Sequence, residues 1–477
     1  MNMRALTVTR RSLATLVAMT VMIMASDGLS QPPAPADLAH DARPITPSEP
    51  QTPVTATSMT DYVVRSGDTL SNIGERLFTH PENWRQVQSI NAIADPRRLQ
   101  VGSVLRVPNA FFRSIVAEAR VIGFRGEVAL ARSGTRLALR LNQTLAEGDL
   151  IETGSNAFLR LALSDGGTIS VPSNTRLRVD RLRANIVTGA LEQSFSVLQG
   201  RIESRVASVR PGGGYTVSTP VSVSAVRGTV FRTTFETETG VATSGVLDGS
   251  VIVAGLEAAP TVGDETISPG LGAVVSQAGV RVEPLPEPAY LVDPDRPQSE
   301  AAATFDIVPV QGALTYRAQL ATAAGFSETI AEAESRAGEA RVTFPPLTDG
   351  LEDGLYLVAI TALSADRLEG PASVYDFLRL RNGLSDLSAL PSNDGNHLFQ
   401  WTSEGSVTPL YRFQLSHTGS DGGETLPFVD LVELKEDRVS IPDLAAGTYS
   451  WRVRVSRQLK GQTVFHWSEP QALTVAH

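Results

Sequence analysis

Residues 62–108, YVVRSGDTLSNIGERLFTHPENWRQVQSINAIADPRRLQVGSVLRVP, carry the most decisive pattern in the 477-residue chain. Tyr62-Val63-Val64-Arg65 suits a short strand, and Ser66-Gly67 turns the chain. Asp68 stands where a helix N-cap is expected, its carboxylate facing backbone N–H groups that lack a partner. Leu70, Ile73 and Leu77 recur on one face of a helix ending near Phe78. His80-Pro81 breaks that helix, and proline suits the first turn of a second one. There Trp84, Val87 and Ile90 mark the buried side and Asn91 closes the helix. Asp95-Pro96 turns again. Leu99 to Val107 reads as a strand interrupted by Gly102 and ended by Pro108. The order is β-α-α-β.

Those residues resemble the LysM family. Tyr62, Gly67-Asp68-Thr69-Leu70, Ile73, Asn91, Asp95-Pro96, Leu99, Val101-Gly102, Leu105 and Val107-Pro108 match its pattern in order and spacing. The one departure noted is Ser103, where the family often has Gln. The resemblance implies a two-stranded antiparallel sheet with two helices on one face. It implies as ligand the N-acetylglucosamine-containing glycan of peptidoglycan or chitin. It also implies a shallow groove, with Gly67, Asp68, Thr69 and Leu70 on one wall and Asn91, Ala92 and Ile93 on the other. Turn backbone groups and hydroxyls suit N-acetyl and ring hydroxyl groups, while Leu70 or Ile93 can cover the acetyl methyl. Asp68 and Leu70 have competing structural roles as cap and core. Trp84 reads as core. One small module binds weakly, and repetition is the usual remedy.

Upstream, residues 1–30 read as a secretory signal peptide. Arg4, Arg10 and Arg11 precede an apolar run from Leu13 to Ala25, too short for the roughly 20 residues of a membrane span. Thr9 to Leu13 also resembles a twin-arginine signal, and an uncleaved anchor is the alternative. Seven prolines in residues 31–60, with few large apolar neighbours, describe an extended tether. No later stretch is long and apolar enough to cross a membrane as a helix. The chain has no cysteine, which excludes disulfides, thiolate chemistry and a lipid-modified cysteine. Net charge is −10, unevenly spread. Residues 256–477 hold 15 basic and 30 acidic residues, and residues 115–255 hold 15 and 12. Nucleic acid is not an expected partner, because phosphate binding needs concentrated positive charge.

Downstream of the module, residues 115–282 alternate short apolar strands with turns such as Glu147-Gly148-Asp149, Asp165-Gly166-Gly167 and Asp248-Gly249, the pattern of an all-β roll or sandwich. This region resembles the FecR-type periplasmic domain. The match rests on Leu145 to Gly154, Leu163 to Gly166, Leu198-Gln199-Gly200, Thr219-Pro220 and Val246 to Val251. The run Ala225-Val226-Arg227-Gly228-Thr229-Val230-Phe231 carries it most strongly. Family members relay siderophore occupancy from an outer-membrane receptor to a cytoplasmic anti-sigma segment. This chain shows no cytoplasmic N-terminal domain and no mature span, so only the β module is carried over. Arg227, Gly228 and Thr229 read as structural, with Gly228 at a close approach or bulge and Arg227 available to a buried carboxylate.

The C-terminal part repeats itself. Thr315 to Leu320 aligns with Leu410 to Leu415, and Gly354-Leu355-Tyr356 aligns with Gly447-Thr448-Tyr449. Offsets of about 95 residues indicate two copies of one module, at 290–382 and 383–477. Tyr449, Trp451, Val453 and Val455 alternate onto one face, with Arg452 and Arg454 opposite. The copies resemble fibronectin type III sandwiches, which space or present other domains.

The expected fold is therefore multidomain and mainly β: a small βααβ module at 61–109, an all-β roll or sandwich, and two β-sandwich repeats. No His-x-x-x-Asp, His-Glu-x-x-His or Gly-x-Ser-x-Gly pattern occurs, and no lysine precedes Lys435, so no enzyme, metal or cofactor is expected. The expected function is a non-enzymatic peptidoglycan-binding protein of a Gram-negative periplasm or envelope. Its expected partners are glycan strands and, through the FecR-like or C-terminal domains, another envelope protein. A FecR-type sensor component is the alternative, and a cell-wall hydrolase accessory or unrecognised muramidase is a third reading.

Overall fold

The computed structural model describes residues 59–207, 212–226, 228–256, 264–322, 329–345, 351–391, 395–418 and 426–476. The signal and tether expectations for residues 1–58 lie outside them, as does Arg227.

In the N-terminal module, strand Met59–Val63 pairs antiparallel with Val104–Pro108, placing Tyr62 opposite Leu105. Helix Leu70–Leu77, a 3-10 turn at Pro81–Asn83 and helix Trp84–Ile90 follow the first strand. Tyr62, Val64, Leu70, Ile73, Phe78, Val87, Leu105 and Val107 form the core, with Trp84 packed against it. Three expectations need correction. The second strand begins at Val104, not Leu99, because Gly102 at φ +85° and a Ser103 N–H bond to Gln100 O fold that stretch into a turn. Pro108 belongs to the strand, opposite Met59 at its end. Ile90 is 42% exposed, since the second helix lasts only seven residues and its last turn passes beyond the core.

The middle region is two sheets sharing one long strand, Leu191–Arg205. Its first half pairs with Arg176–Asn185 in one sheet. From Gly200 onward it pairs with Val230–Glu236 in the other. Elsewhere the chain lays a hairpin in one sheet and then a hairpin in the other: Phe158–Leu163 with Thr168–Val171, Gly214–Ser218 with Ser222–Val226, and Val230–Glu236 with Val241–Asp248. Alternate residues of both sheets meet in a continuous core that includes Leu161, Val179, Phe195, Val217, Phe231 and Val253.

The crossing points explain the glycine signals. An added Cβ on Gly249, at φ +83°, would sit 2.5 Å from Gly228 O and 2.9 Å from Thr229 Oγ1. Thr229, buried, donates from that hydroxyl to Ser250 O at 2.9 Å. Gly228 is thus the carbonyl side of a backbone approach that Gly249 makes possible.

Each C-terminal copy is a sandwich. In the first, strands Thr304–Asp306 and Arg341–Thr343 face a sheet ordered Thr329–Glu334, Thr315–Ala321, Gly354–Leu363, Ser373–Arg379. In the second, Leu384–Pro391, His397–Ser403 and Arg438–Ile441 face a larger sheet centred on Leu410–His417 and Gly447–Leu459. The repeated Gly-x-Tyr serves the same corner in both. Tyr356 donates to Glu352 O at 3.0 Å, and Tyr449 to Ala445 O at 2.7 Å. Trp401 and Trp451 are core residues at 3% and 2% exposure.

The neighbouring modules are joined by short, bonded connections. Phe111 and Phe112 pack on Phe78, and Arg113 Nε donates to Phe78 O at 2.8 Å. Val187 of the middle region joins the same core.

Candidate functional site

The turn at residues 65–70 is held from inside the N-terminal module. Asp68 is buried, and its Oδ2 accepts from the Tyr62 hydroxyl and the Arg65 N–H, both at 2.8 Å. Arg76 Nη2 donates to Asp68 Oδ1 at 2.9 Å and to the Tyr62 oxygen at 3.0 Å. Burial alone would raise the Asp68 carboxyl. The Arg65 N–H, the Tyr62 hydroxyl and Arg76 outweigh it and hold the group below the ordinary carboxylate value. The Tyr62 hydroxyl is pushed up by burial and by Asp68.

Asp68 therefore is not the helix cap. The cap is Thr69, whose Oγ1 accepts from the Asn72 N–H at 3.2 Å. Both residue types cap helices, and Tyr62 and Arg76 claim the Asp68 carboxylate first. Leu70 is fully buried, so its side chain covers no acetyl group; it is core. Gly67, at φ +86° with no atom within 4 Å of an added Cβ, leaves open space at the turn. The Thr69 and Ser71 hydroxyls lie 3.2 Å apart beside it.

The second wall follows the second helix. Asn91 caps that helix and spends its side chain on structure. Its amide donates to Val87 O at 2.8 Å and Arg106 O at 2.9 Å, and its oxygen accepts from Arg106 N at 2.7 Å. Ala92 sits at φ +49°, exposed, and Ile93 is half-buried against the core. Gln88 Nε2 fixes this wall by donating to Ile93 O at 2.9 Å. The Leu70 N–H donates to Pro96 O at 3.0 Å, so the turn before one helix is bonded to the loop after the other. The seven sequence-predicted residues thus fall on two adjoining segments. Gly67, Thr69, Ala92 and Ile93 present surface, while Asp68, Leu70 and Asn91 hold that surface in shape. Ser71, Arg76 and Gln88 were not singled out from sequence, and Pro96 was read only as part of a turn. The signal available for Arg76 was a cation two helical turns beyond a buried aspartate.

A second polar cluster lies between the middle region and the first sandwich. Arg201 and Arg232 stand on the outer face of the sheet that contains Val230–Glu236. Glu332, Glu334, Glu369 and Arg317 come from the sandwich. Glu369 contacts Arg317 in a short ion pair, Arg201 at 3.4 Å and Arg232 at 3.7 Å. Arg232 Nη1 donates to Gly370 O at 2.7 Å. Glu332 pairs with Arg201 and lies 3.7 Å from Arg317. Burial would raise the Glu369 carboxyl, but Arg317, Arg201 and Arg232 pull it down to about 2. The apolar share of this joint is Leu285 and Leu368, seated where Gly245 and Gly272 lie side by side on adjacent strands. An added Cβ on Gly272 would stand 2.4 Å from Leu368 Cδ2. Among the described residues, no group of three or more His, Asp or Glu side chains is arranged to hold a metal. No described helix is long and apolar enough to cross a membrane.

Two family models match parts of the chain. The LysM domain model matches residues 62–108, and the FecR protein model matches residues 149–252. No curated protein matches the chain. Among solved structures, a putative anti-sigma factor from Parabacteroides distasonis is 17% identical, covers 28% of this chain and has a TM-score of 0.23. The chain spans 59% of that protein's length. A two-domain fibronectin type III segment of chicken tenascin is 16% identical over 40% of this chain and 99% of its own, with a TM-score of 0.23. The chain therefore carries a LysM domain followed by a FecR segment, both non-catalytic binding or signalling modules that are typically extracytoplasmic.

Proposed function

We propose that the protein is an exported, non-enzymatic component of a Gram-negative envelope that holds peptidoglycan through its LysM domain. The observation that carries this reading is the match over 62–108 together with a turn and loop bonded to each other at Leu70 and Pro96. N-acetylglucosamine would lie over Gly67, with Thr69 and Ser71 hydroxyls and the backbone around Ala92 as hydrogen-bonding groups and Ile93 against the acetyl methyl. Asp68, Leu70 and Asn91 contribute by holding the backbone. One module of this size gives modest affinity. The division into 61–109, 115–282, 290–382 and 383–477 belongs to the same proposal, with the β modules as a scaffold displayed at the wall. Cleavage of a signal peptide within residues 1–30 would deliver it.

Titration of the mature chain with a chitin-derived N-acetylglucosamine tetramer tests the reading. Saturable heat that disappears in Ala92→Trp, a substitution that fills the groove from an exposed position, is the expected result. Heat unchanged by Ala92→Trp would overturn the site, and no heat with the tetramer would overturn the ligand.

The FecR match over 149–252 supports a second reading, a sensor component positioned by the LysM domain. Stoichiometric co-purification of a membrane protein from solubilised envelopes would favour it. The hydrolase reading would need release of soluble muropeptides from sacculi.

A further inference from the structure

A groove of about 1000 Å3 runs along the joint between the FecR region and the first sandwich. Arg125, Arg160, Arg201, Arg205, Arg232 and Arg317 line it, against Glu203 and Glu369. Adding Glu332 and Glu334, which pair with Arg201 and Arg317, still leaves arginine in excess. This excess stands in a chain of net charge −10. Arg201, Arg232 and Arg317 are committed to the joint. Arg125 and Arg205 are exposed and form no ion pair among the described residues.

The same groove shows apolar surface. Ile122, Phe124, Leu141 and Val374 line it and are 42%, 43%, 59% and 53% exposed. Val374 belongs to strand Ser373–Arg379, which is bonded along one side to Gly354–Leu363. On its other side the described bonds are confined to the far end, where Gln298 N donates to Leu378 O and Leu380 N to Gln298 O. The near end of an edge strand thus stands at the groove wall with backbone groups available for pairing.

We propose that this groove docks an extended acidic segment of a partner protein, held by carboxylates on Arg125 and Arg205 and by apolar side chains against Ile122, Phe124 and Val374. Strand addition along Ser373–Arg379 would fix its register. A peptide fits better than a glycan: the lining holds no Trp or Tyr to stack on a sugar, while it does hold paired apolar walls and a strand edge. The site is separate from the LysM domain, so its failure and the failure of glycan binding are distinguishable.

Fluorescence anisotropy of the mature chain tests this with a labelled peptide alternating glutamate and valine over eight residues. A peptide alternating lysine and valine and a labelled hyaluronan oligosaccharide serve as comparisons. Saturable, salt-sensitive binding of the glutamate peptide alone is expected. It should weaken at least about tenfold in Arg125→Glu/Arg205→Glu and severalfold in Phe124→Ser, with thermal midpoints unchanged. No binding, equal binding of the lysine peptide, preference for hyaluronan, or full binding by the double variant would each overturn the proposal.

Discussion

The two C-terminal copies carry the same Tyr-Arg pair and use it differently. Arg317 of the first copy is 5% exposed and meets Glu332, Glu334 and Glu369. Arg412, its counterpart, pairs with Asp430 alone at 2.6 Å on a face that carries Trp467, Arg452 and Arg454. The tyrosines of the two pairs are both 4% exposed. The repeat therefore conserves the inward residue, which builds the sandwich. What the outward residue does is decided by what lies against it: in one copy the arginine-bearing sheet of the FecR region, in the other the open face.

The largest effect should come from Arg317→Ala. Removing one member of a buried charged cluster leaves Glu369 and Glu332 under-compensated, and the loss should be about 3–5 kcal/mol in urea unfolding followed by circular dichroism. A loss below about 1 kcal/mol would mean the joint is solvated and not a unit. Next in size is Gly272→Val. Its Cβ must displace Leu368, and overpacking of this kind costs about 1–3 kcal/mol. A neutral result would show that Leu368 leaves its seat freely.

Acid provides a third comparison. Glu369 has its carboxyl pulled to about 2 from an ordinary 4.5, so its folded state binds protons less readily than its unfolded state. Its stabilising contribution is complete above about pH 4.5 and is lost as pH falls through about 2. Calorimetry across that window should show the transition of the FecR region and first sandwich falling in wild type. In Glu369→Gln that acid-dependent part of the fall should be reduced. Identical acid profiles would contradict the assignment. The smallest effect belongs to Arg412→Ala, for which the second sandwich should keep its melting midpoint, read by fluorescence of Trp401 and Trp451, because the pair is exposed to solvent.

Most of the local structure was legible. Alternation at Tyr449 to Val455 gave a strand with the right face inward, because a period of two leaves no other solution for half-buried sheet. The two short helices of the LysM domain were legible from their apolar spacing and from Pro81. The role of Asp68 was not, since Tyr62 and Arg76 reach it only after the first strand and helix have packed. The sheet change at Gly200 was not read either, because a left-handed glycine signals a turn without saying which sheet follows. The joint was hidden for a similar reason. Its charges come from residues 201, 232, 317, 332 and 369, and only the imbalance between the two halves hinted that they meet.

The central claim is that the LysM domain anchors the chain to the wall. Because Phe111 and Phe112 tie that domain to its neighbour, point substitution is cleaner than deletion. The decisive measurement is co-sedimentation of the mature protein and of its Ala92→Trp variant with purified sacculi at two salt concentrations. Binding by the wild type, its loss in the variant with melting unchanged, and no soluble fragments are the predicted results. Equal sedimentation of both proteins, or of neither, would contradict the claim.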